Sequence, residues 1–342
     1  MPLCNIMKPA PLISVCIPVY STEQYLAQCL RSVLTQNFDS FEVVVVSDAS
    51  PGKDQKGREA KKIVQAVQKE FNRWRKSNRL AVVPVRFVAH RQNRGVVETR
   101  RTLAYEAKGI YVTQVDSDDE MTPGALAAFY KAANSSGSAH GFDIVHGSSV
   151  AGTFDEKGEF VAAEKNTFGT ILYEAVYGRE VFRKWFVDRA FTANVWGKLI
   201  KRDVLLQAYK HIPYTECNMA DDLLLFFFVA QSAKSYIGIK DIVYHYRVDF
   251  GMSSHRKIDT LKKWQMICST ASVFTVILQW LQKIQDTPDK LLDDEVEILK
   301  NLSRFYLSNN IKQMKEAVIP ELQQDAYQLL CEYWGQDYVD II

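Results

Sequence analysis

Residues 111–119 read Tyr111-Val112-Thr113-Gln114-Val115-Asp116-Ser117-Asp118-Asp119. A short apolar, β-branched run leads straight into three carboxylates. The run has the composition of a buried strand. The carboxylates repel one another unless positive charge stands nearby. A divalent cation meets that need, because hard oxygen ligands suit Mg2+ or Mn2+. One or two protein carboxylates also leave coordination positions for substrate phosphates. The plain alternative is a solvated acidic turn or helix cap, and the strand's position in the fold decides between the two.

Upstream, Ile13-Ser14-Val15-Cys16-Ile17-Pro18 reads as a buried strand ending at the proline. Between Glu23 and Thr35 the apolar residues Tyr25, Leu26, Cys29, Leu30, Val33 and Leu34 fall at helical spacing, with Ser21 or Thr22 as cap. Phe41–Val46 is continuously apolar, as interior parallel strands are, and Ser47-Asp48-Ala49-Ser50-Pro51-Gly52 breaks it. A basic helix over 58–79, a third strand over 82–88 interrupted by Pro84, and a helix over 96–107 follow. This alternation predicts a parallel sheet with right-handed crossovers, whose ligands sit beyond the carboxyl ends of the strands. The residues there are Tyr20, Asp48, 90–95 and Asp116–Asp119. Further on, the pattern predicts a helix over 124–135, a strand over 143–146 and an irregular or hairpin stretch over 151–169. Helices over 195–206 and 221–233, a strand over 239–246 and helices from Ile258 onward complete it, with a boundary near 250–257.

The chain has 342 residues and a net charge of +2, which conceals an uneven distribution. Residues 53–101 hold fifteen Lys and Arg against four acids, while 286–340 hold twelve acids, Asp289 among them, against five bases. The basic block admits an alternative function, a nucleic-acid- or anionic-membrane-binding module without catalytic activity, although no nucleic-acid motif accompanies it. A basic lobe and an acidic tail can also pair, within one chain or as a homodimer through the C-terminal helices. The six cysteines (Cys4, Cys16, Cys29, Cys217, Cys268 and Cys331) show no C-x-x-C spacing and read as reduced thiols. No basic segment precedes an apolar run at the start, so a cytoplasmic location is expected. The uncharged stretch 264–282 carries several Gln, Ser and Thr residues and reads as a packed helix.

Other residues suit a nucleotide diphosphate. Arg100 stands near a predicted helix start, where a guanidinium and backbone N–H groups both favour phosphate. Asp48 can accept hydrogen bonds from a base or ribose, or serve the turn with Ser50. Tyr20 can stack on a base, or simply pack. Asp221 and Asp222 open a very apolar helix, where they are either caps or a general base with a raised pKa.

Together these segments resemble the family 2 glycosyltransferases, over roughly residues 12–254. Ser14–Tyr20 matches the opening strand, Tyr25–Gln36 the helix after it, and Val45–Ser50 an aspartate-rich turn with Ser47 in place of the first acid. Asn93–Arg101 resembles N-x-G-x-x-x-A-R-N, departing at Thr99 and Arg101. Val115–Pro123 matches L-D-S-D-D-x-x-x-P, and Val195–Arg202 and Val243–Arg247 fit bacterial members.

The resemblance implies the GT-A (Rossmann-like) α/β fold, with a mostly parallel central sheet flanked by helices. It implies a glycosyltransferase domain over 1–255 and a helical extension over 256–342. Within the domain, 12–123 would bind the nucleotide and 124–255 the acceptor. It implies an inverting, metal-dependent transfer from a nucleotide-sugar, a UDP-sugar, to an oligosaccharide or glycolipid of lipopolysaccharide or capsule type. The helix near Arg73–Arg79 would touch the inner face of the plasma membrane. Pro18, Tyr20, Asp48, Arg100, Asp116 and Ser117 would bind the nucleotide-sugar. Asp118 and Asp116 would hold Mn2+ or Mg2+, with Asp119 supporting and His245 a further ligand. Asp222 would be the catalytic base, with Asp221 as its fallback, and Lys198 would face the leaving diphosphate or the acceptor.

Overall fold

The computed structural model describes residues 10–135, 140–167, 169–248, 257–287 and 290–342. Cys4, Asp289 and the expected boundary at 255 lie outside the described residues.

The alternation read from the sequence forms β1 (Ile13–Val19), α1 (Glu23–Leu34), β2 (Phe41–Ser47), α2 (Ala60–Ser77), β3 (Val85–Ala89), α3 (Val96–Glu106) and β4 (Tyr111–Gln114). β3 begins only after Pro84, whose missing N–H cannot join a ladder. These strands pair in parallel in the order β3-β2-β1-β4. The next elements are β5 (Glu120–Met121), α4 (Ala125–Ala133), β6 (Ile144–Phe154), β7 (Phe160–Thr167), β8 (Val176–Tyr177) and α5 (Glu180–Phe186). β9 (Lys198–Lys201), α6 (Arg202–His211), α7 (Asp221–Ser232) and β10 (Ser235–Arg247) follow. The sheet continues β4-β9-β6-β10-β5, with β6 and β10 parallel and the other pairs antiparallel. β6 and β7 form the hairpin that 151–169 allowed.

The expected helix over 195–206 is corrected. Gly197 takes φ +65° and interrupts it. Lys198–Lys201 then slots as β9 between β4 and β6, and the helix begins only at Arg202. Pairing on both edges outweighs local helix preference here.

α1, α2 and α4 bury their apolar stripes on one face of the sheet, and α3, α5, α6 and α7 on the other. α7 is buried from Leu224 to Ala230, so it needs cover all round. The helices after β10 supply part of it: α8 (Leu261–Cys268), α9 (Ala271–Ile284), α10 (Asp293–Ala317), α11 (Gln323–Trp334) and α12 (Gln336–Ile341). Trp280 of α9 meets Phe227 and Phe228 of α7 edge-on, at 5.7 and 5.4 Å between ring centroids. The stretch Leu261–Ile284 is apolar enough in composition to cross a membrane, but over half of its most apolar part is buried in the protein and a turn at Ser269–Thr270 divides it. Cys16, Cys29, Cys217, Cys268 and Cys331 are free thiols.

Part of the basic block is internal. Arg75 is fully buried and donates to the carbonyls of Gln36 (2.8 Å), Phe38 (2.9 Å) and Leu34 (3.2 Å), where α1 ends. Arg101 likewise donates to Tyr209 O and Ile212 O, each at 2.8 Å, where α6 ends. Ion pairs also fasten α10 to α5. The carboxylate of Glu295, fully buried, meets Arg179 at 2.5 Å and Arg183 at 3.1 Å, and Arg183 also meets Asp294 at 2.7 Å. Removing Glu295 takes the carboxylate partner from Arg179 and leaves Arg183 with Asp294 alone, and both guanidiniums keep access to water. Glu295→Ala is therefore expected to cost about 2–3 kcal/mol in urea unfolding, below the usual loss for a deeply buried pair.

Candidate active site

β4 lies between β1 and β9, so the turn after it opens at the middle of the sheet. Its carboxylates are held apart by position. Asp119 points inward and is 3% exposed. Its Oδ2 accepts from the Tyr244 hydroxyl at 2.8 Å, and its Oδ1 from the Arg247 N–H at 2.7 Å. The Tyr244 oxygen in turn accepts the Asp116 N–H at 3.0 Å. Arg247 Nε donates to the Asp118 carbonyl at 2.9 Å, and its guanidinium lies between the Tyr25 and Phe154 rings, 4.3 and 4.2 Å from their centroids. Ser117 is buried against Thr22, with 2.6 Å between hydroxyls. Only the Asp116 and Asp118 side chains keep partial access to solvent. Burial, and next the Asp116 charge, push the Asp118 carboxyl up to about 6.

The second acidic group arrives from α7. Ala220 takes a left-handed conformation (φ 59°), so the chain turns sharply before Asp221 and Asp222. Arg100 of α3 joins this group to the first. It donates through Nε to Asp221 Oδ2 (3.2 Å), through Nη1 to Gln114 Oε1 (2.5 Å) and through Nη2 to Asp116 Oδ1 (3.0 Å). Burial works against the guanidinium's charge, but Asp116 and Asp221 outweigh it and raise the pKa further. Burial raises the Asp221 carboxyl while Arg100 pulls it down. Asp222 is different: its Oδ1 is closed from solvent and has no hydrogen-bond partner among the described residues. Burial, and next the Asp221 charge, push that carboxyl up to about 7.

Four expected roles meet a different geometry. Arg100 was to approach nucleotide or diphosphate, yet its three nitrogens are taken by protein acceptors, and it acts as a clamp between β4 and α7. Asp48 is 3% exposed and accepts from the Arg94 N–H, the Gly95 N–H (each 2.9 Å) and the His90 ring (2.6 Å), so it anchors the start of α3 instead of facing a ligand. Lys198 is fully buried on β9, donating to Asn194 O at 2.5 Å, with Nζ 5.0 Å from the Phe226 ring centroid. Burial holds its pKa well below the usual lysine range, and its position under the sheet surface gives it no access to a diphosphate or an acceptor in this structure. His245 follows Tyr244 on β10 and takes the opposite face, where its ring stacks on Phe160 at 3.8 Å. Among the described residues no cluster of three or more His, Cys, Asp or Glu could hold a metal. Tyr20 is 46% exposed at the end of β1, with Pro18 half-buried before it. Gln114, Tyr244 and Arg247 carry the site without having been read as doing so. For Tyr244 the sequence signal was its place in Val243–Arg247, the segment that fits bacterial members.

Residues 14–188 match glycosyl transferase family 2. The chain belongs to that family. Glycosyltransferase GlyG of Streptococcus pneumoniae is 25% identical over 253 residues, 72% of this chain and 74% of GlyG. The minor teichoic acid biosynthesis protein GgaB of Bacillus subtilis is 24% identical over 293 residues, 79% of this chain but only 27% of GgaB. In fold, the chain is similar to the mannosyltransferase PcManGT of Pyrobaculum calidifontis, solved with GDP-Man and Mn2+ (TM-score 0.50, 16% identity, 97% and 86% of the two chains). This glycosyltransferase therefore has the GT-A arrangement, and the reading of the basic block as a module without transferase activity gives way. Tyr244→Phe is expected to leave the Asp116 N–H and Asp119 Oδ2 without partners, costing about 1–3 kcal/mol in denaturant unfolding.

Proposed function

We propose that the protein is an inverting, metal-dependent glycosyltransferase. It moves a sugar from a nucleotide-diphosphate sugar, a UDP-sugar, to a hydroxyl of a growing surface glycan. The observation that carries this reading is the Arg100 clamp. It places an acidic strand end and an acidic helix start, more than 100 residues apart, side by side. The nucleotide is assigned to residues 12–123, with Tyr20 and Pro18 at the end of β1, and the acceptor to 124–255, with 256–342 as a helical extension. The exposed face of α2, with Lys61, Lys62, Lys69, Arg73 and Lys76, suits an anionic membrane carrying the acceptor.

The partly exposed carboxylates of Asp116 and Asp118 fit Mn2+ or Mg2+. They are hard oxygen donors, two in number, and crowded enough that Asp118 resists ionisation. Such an ion supplies positive charge where the departing diphosphate gains negative charge. Tyr244 and Arg247 hold the backbone of this turn, so the carboxylates do not have to reorganise. The Asp222 carboxylate takes the proton from the acceptor hydroxyl as its oxygen attacks the anomeric carbon from the face opposite the diphosphate. The bond to the diphosphate oxygen breaks as the new glycosidic bond forms, which inverts the anomeric centre. Arg100 keeps Asp221 charge-paired, leaving Asp222 as the acid–base group.

Hydrolysis of UDP-sugars, followed by UDP release, is expected to stop with EDTA, return with Mn2+, and fall at least about 100-fold in Asp118→Ala. Undiminished activity in that variant refutes the metal assignment. The base must be ionised, so transfer is expected to rise with pH through about 7 and level off above it. Asp222→Asn should abolish transfer and also stabilise the fold. A carboxyl whose pKa is raised by folding costs stability above that pKa and nothing well below its unfolded value. The gain should be on the order of 1–3 kcal/mol at pH 8 and much smaller at pH 5. If Asp221→Asn is the variant that loses transfer while Asp222→Asn keeps it, the base is Asp221.

A further inference from the structure

Three aromatic rings form a near-parallel stack beside the acidic turn. Trp196 lies between Tyr244 and Tyr246, with ring centroids 4.8 and 5.1 Å apart and planes inclined by 21° and 19°. Contacts tie the stack to both acidic groups. The Tyr244 hydroxyl bonds Asp116 and Asp119. Trp196 bridges Gln114 through its backbone, and Gln114 holds Arg100 at 2.5 Å, between Asp116 and Asp221. Tyr246 continues the ladder in which Tyr244 faces Met121 and His245 faces Glu120, so it stands opposite Asp119. Its neighbour Arg247 closes that end, donating its N–H to Asp119 Oδ1 and its Nε to the Asp118 carbonyl.

The rings differ in exposure. Tyr244 and Trp196 are 1% and 4% exposed, whereas Tyr246 keeps partial access to solvent. The stack thus ends in a flat aromatic ring backed by a buried indole. Such a surface is already ordered, so using it costs little conformational entropy. The face of an aromatic ring carries partial negative charge and attracts polarised C–H groups. A pyranose offers a patch of axial C–H bonds on one face, with its hydroxyls around the rim.

We propose that the Tyr246 ring is the platform on which the transferred sugar of the donor rests, face to ring, beside the Asp116–Asp118 carboxylates. This rests on the reading of the acidic turn as the place of the donor's diphosphate, next to which the transferred sugar must lie. It makes Tyr246 a specificity-determining residue. Hexopyranosyl donors with a clear C–H face suit it, and an axial hydroxyl on that face is disfavoured.

The test uses the full chain with Mn2+ and compares UDP-hexoses with UDP by calorimetric titration. Tyr246→Leu keeps an apolar side chain and removes the ring. It is expected to weaken binding of the preferred UDP-hexose about five- to thirtyfold, the loss of one ring contact and its burial. UDP, which has no sugar, should bind it as it binds the wild type. Tyr246→Phe is expected to rescue the sugar-dependent part. Saturation-transfer NMR on the wild-type chain needs no variant, and should show the strongest transfer within the sugar at the C–H protons of one face. Equal weakening of UDP and UDP-hexose marks a structural role and overturns the proposal. So does an unchanged UDP-hexose affinity in Tyr246→Leu, a loss in Tyr246→Phe as large as in Tyr246→Leu, or saturation confined to the uridine. UDP binding separates the two readings. A wild-type chain that binds no UDP refutes the donor reading and the platform with it, whereas UDP binding without sugar discrimination refutes the platform alone.

Discussion

One buried guanidinium determines how this site is built. Arg100 faces Gln114, Asp116 and Asp221, which come from β4 and from the start of α7. Without a cation there, four neighbouring carboxylates would face one another in a partly water-excluded cleft, at a cost of several kcal/mol. With it, Asp116 and Asp221 each have a charged partner, while Asp118 and Asp222, which the arginine does not touch, are pushed upward chiefly by burial. The chemistry is thus divided by which acids the arginine touches.

The same arrangement shows how far the sequence could be read. The β1–β4 half was legible because continuous apolar runs, helical periodicity and a proline mark each boundary. The acidic turn was legible because three carboxylates in four residues demand an explanation. The strand at Lys198–Lys201 was read as helix because Val195–Leu206 has local helix character, and only pairing with β4 and β6 makes it a strand. Asp48 was read both ways because a carboxylate at a strand end looks the same whether it meets a ligand or the backbone of the next loop. The Tyr244–Asp119 and Arg100–Asp221 contacts span more than 100 residues and leave no local pattern, so only three-dimensional packing reveals them.

Charge counting was informative in a different way from the one first expected. The block over 53–101 looks like a uniform basic surface, yet Arg75, Arg86, Arg100 and Arg101 spend their charge on carbonyls and carboxylates inside the fold. Part of the acidic tail is likewise used at α5. What remains exposed on α2 is a compact group of five cations, and the field it projects is screened over about 8 Å at physiological salt.

The Tyr244 hydroxyl also makes the acidic turn observable. It has one proton, given to Asp119, and accepts the Asp116 N–H from a different part of the chain. That amide is therefore sheltered by a side chain of β10 and not by a backbone ladder. It can exchange with deuterium only when the end of β4 and β10 part. The exchange rate of a single amide thus records how often the acidic turn opens, independently of any turnover.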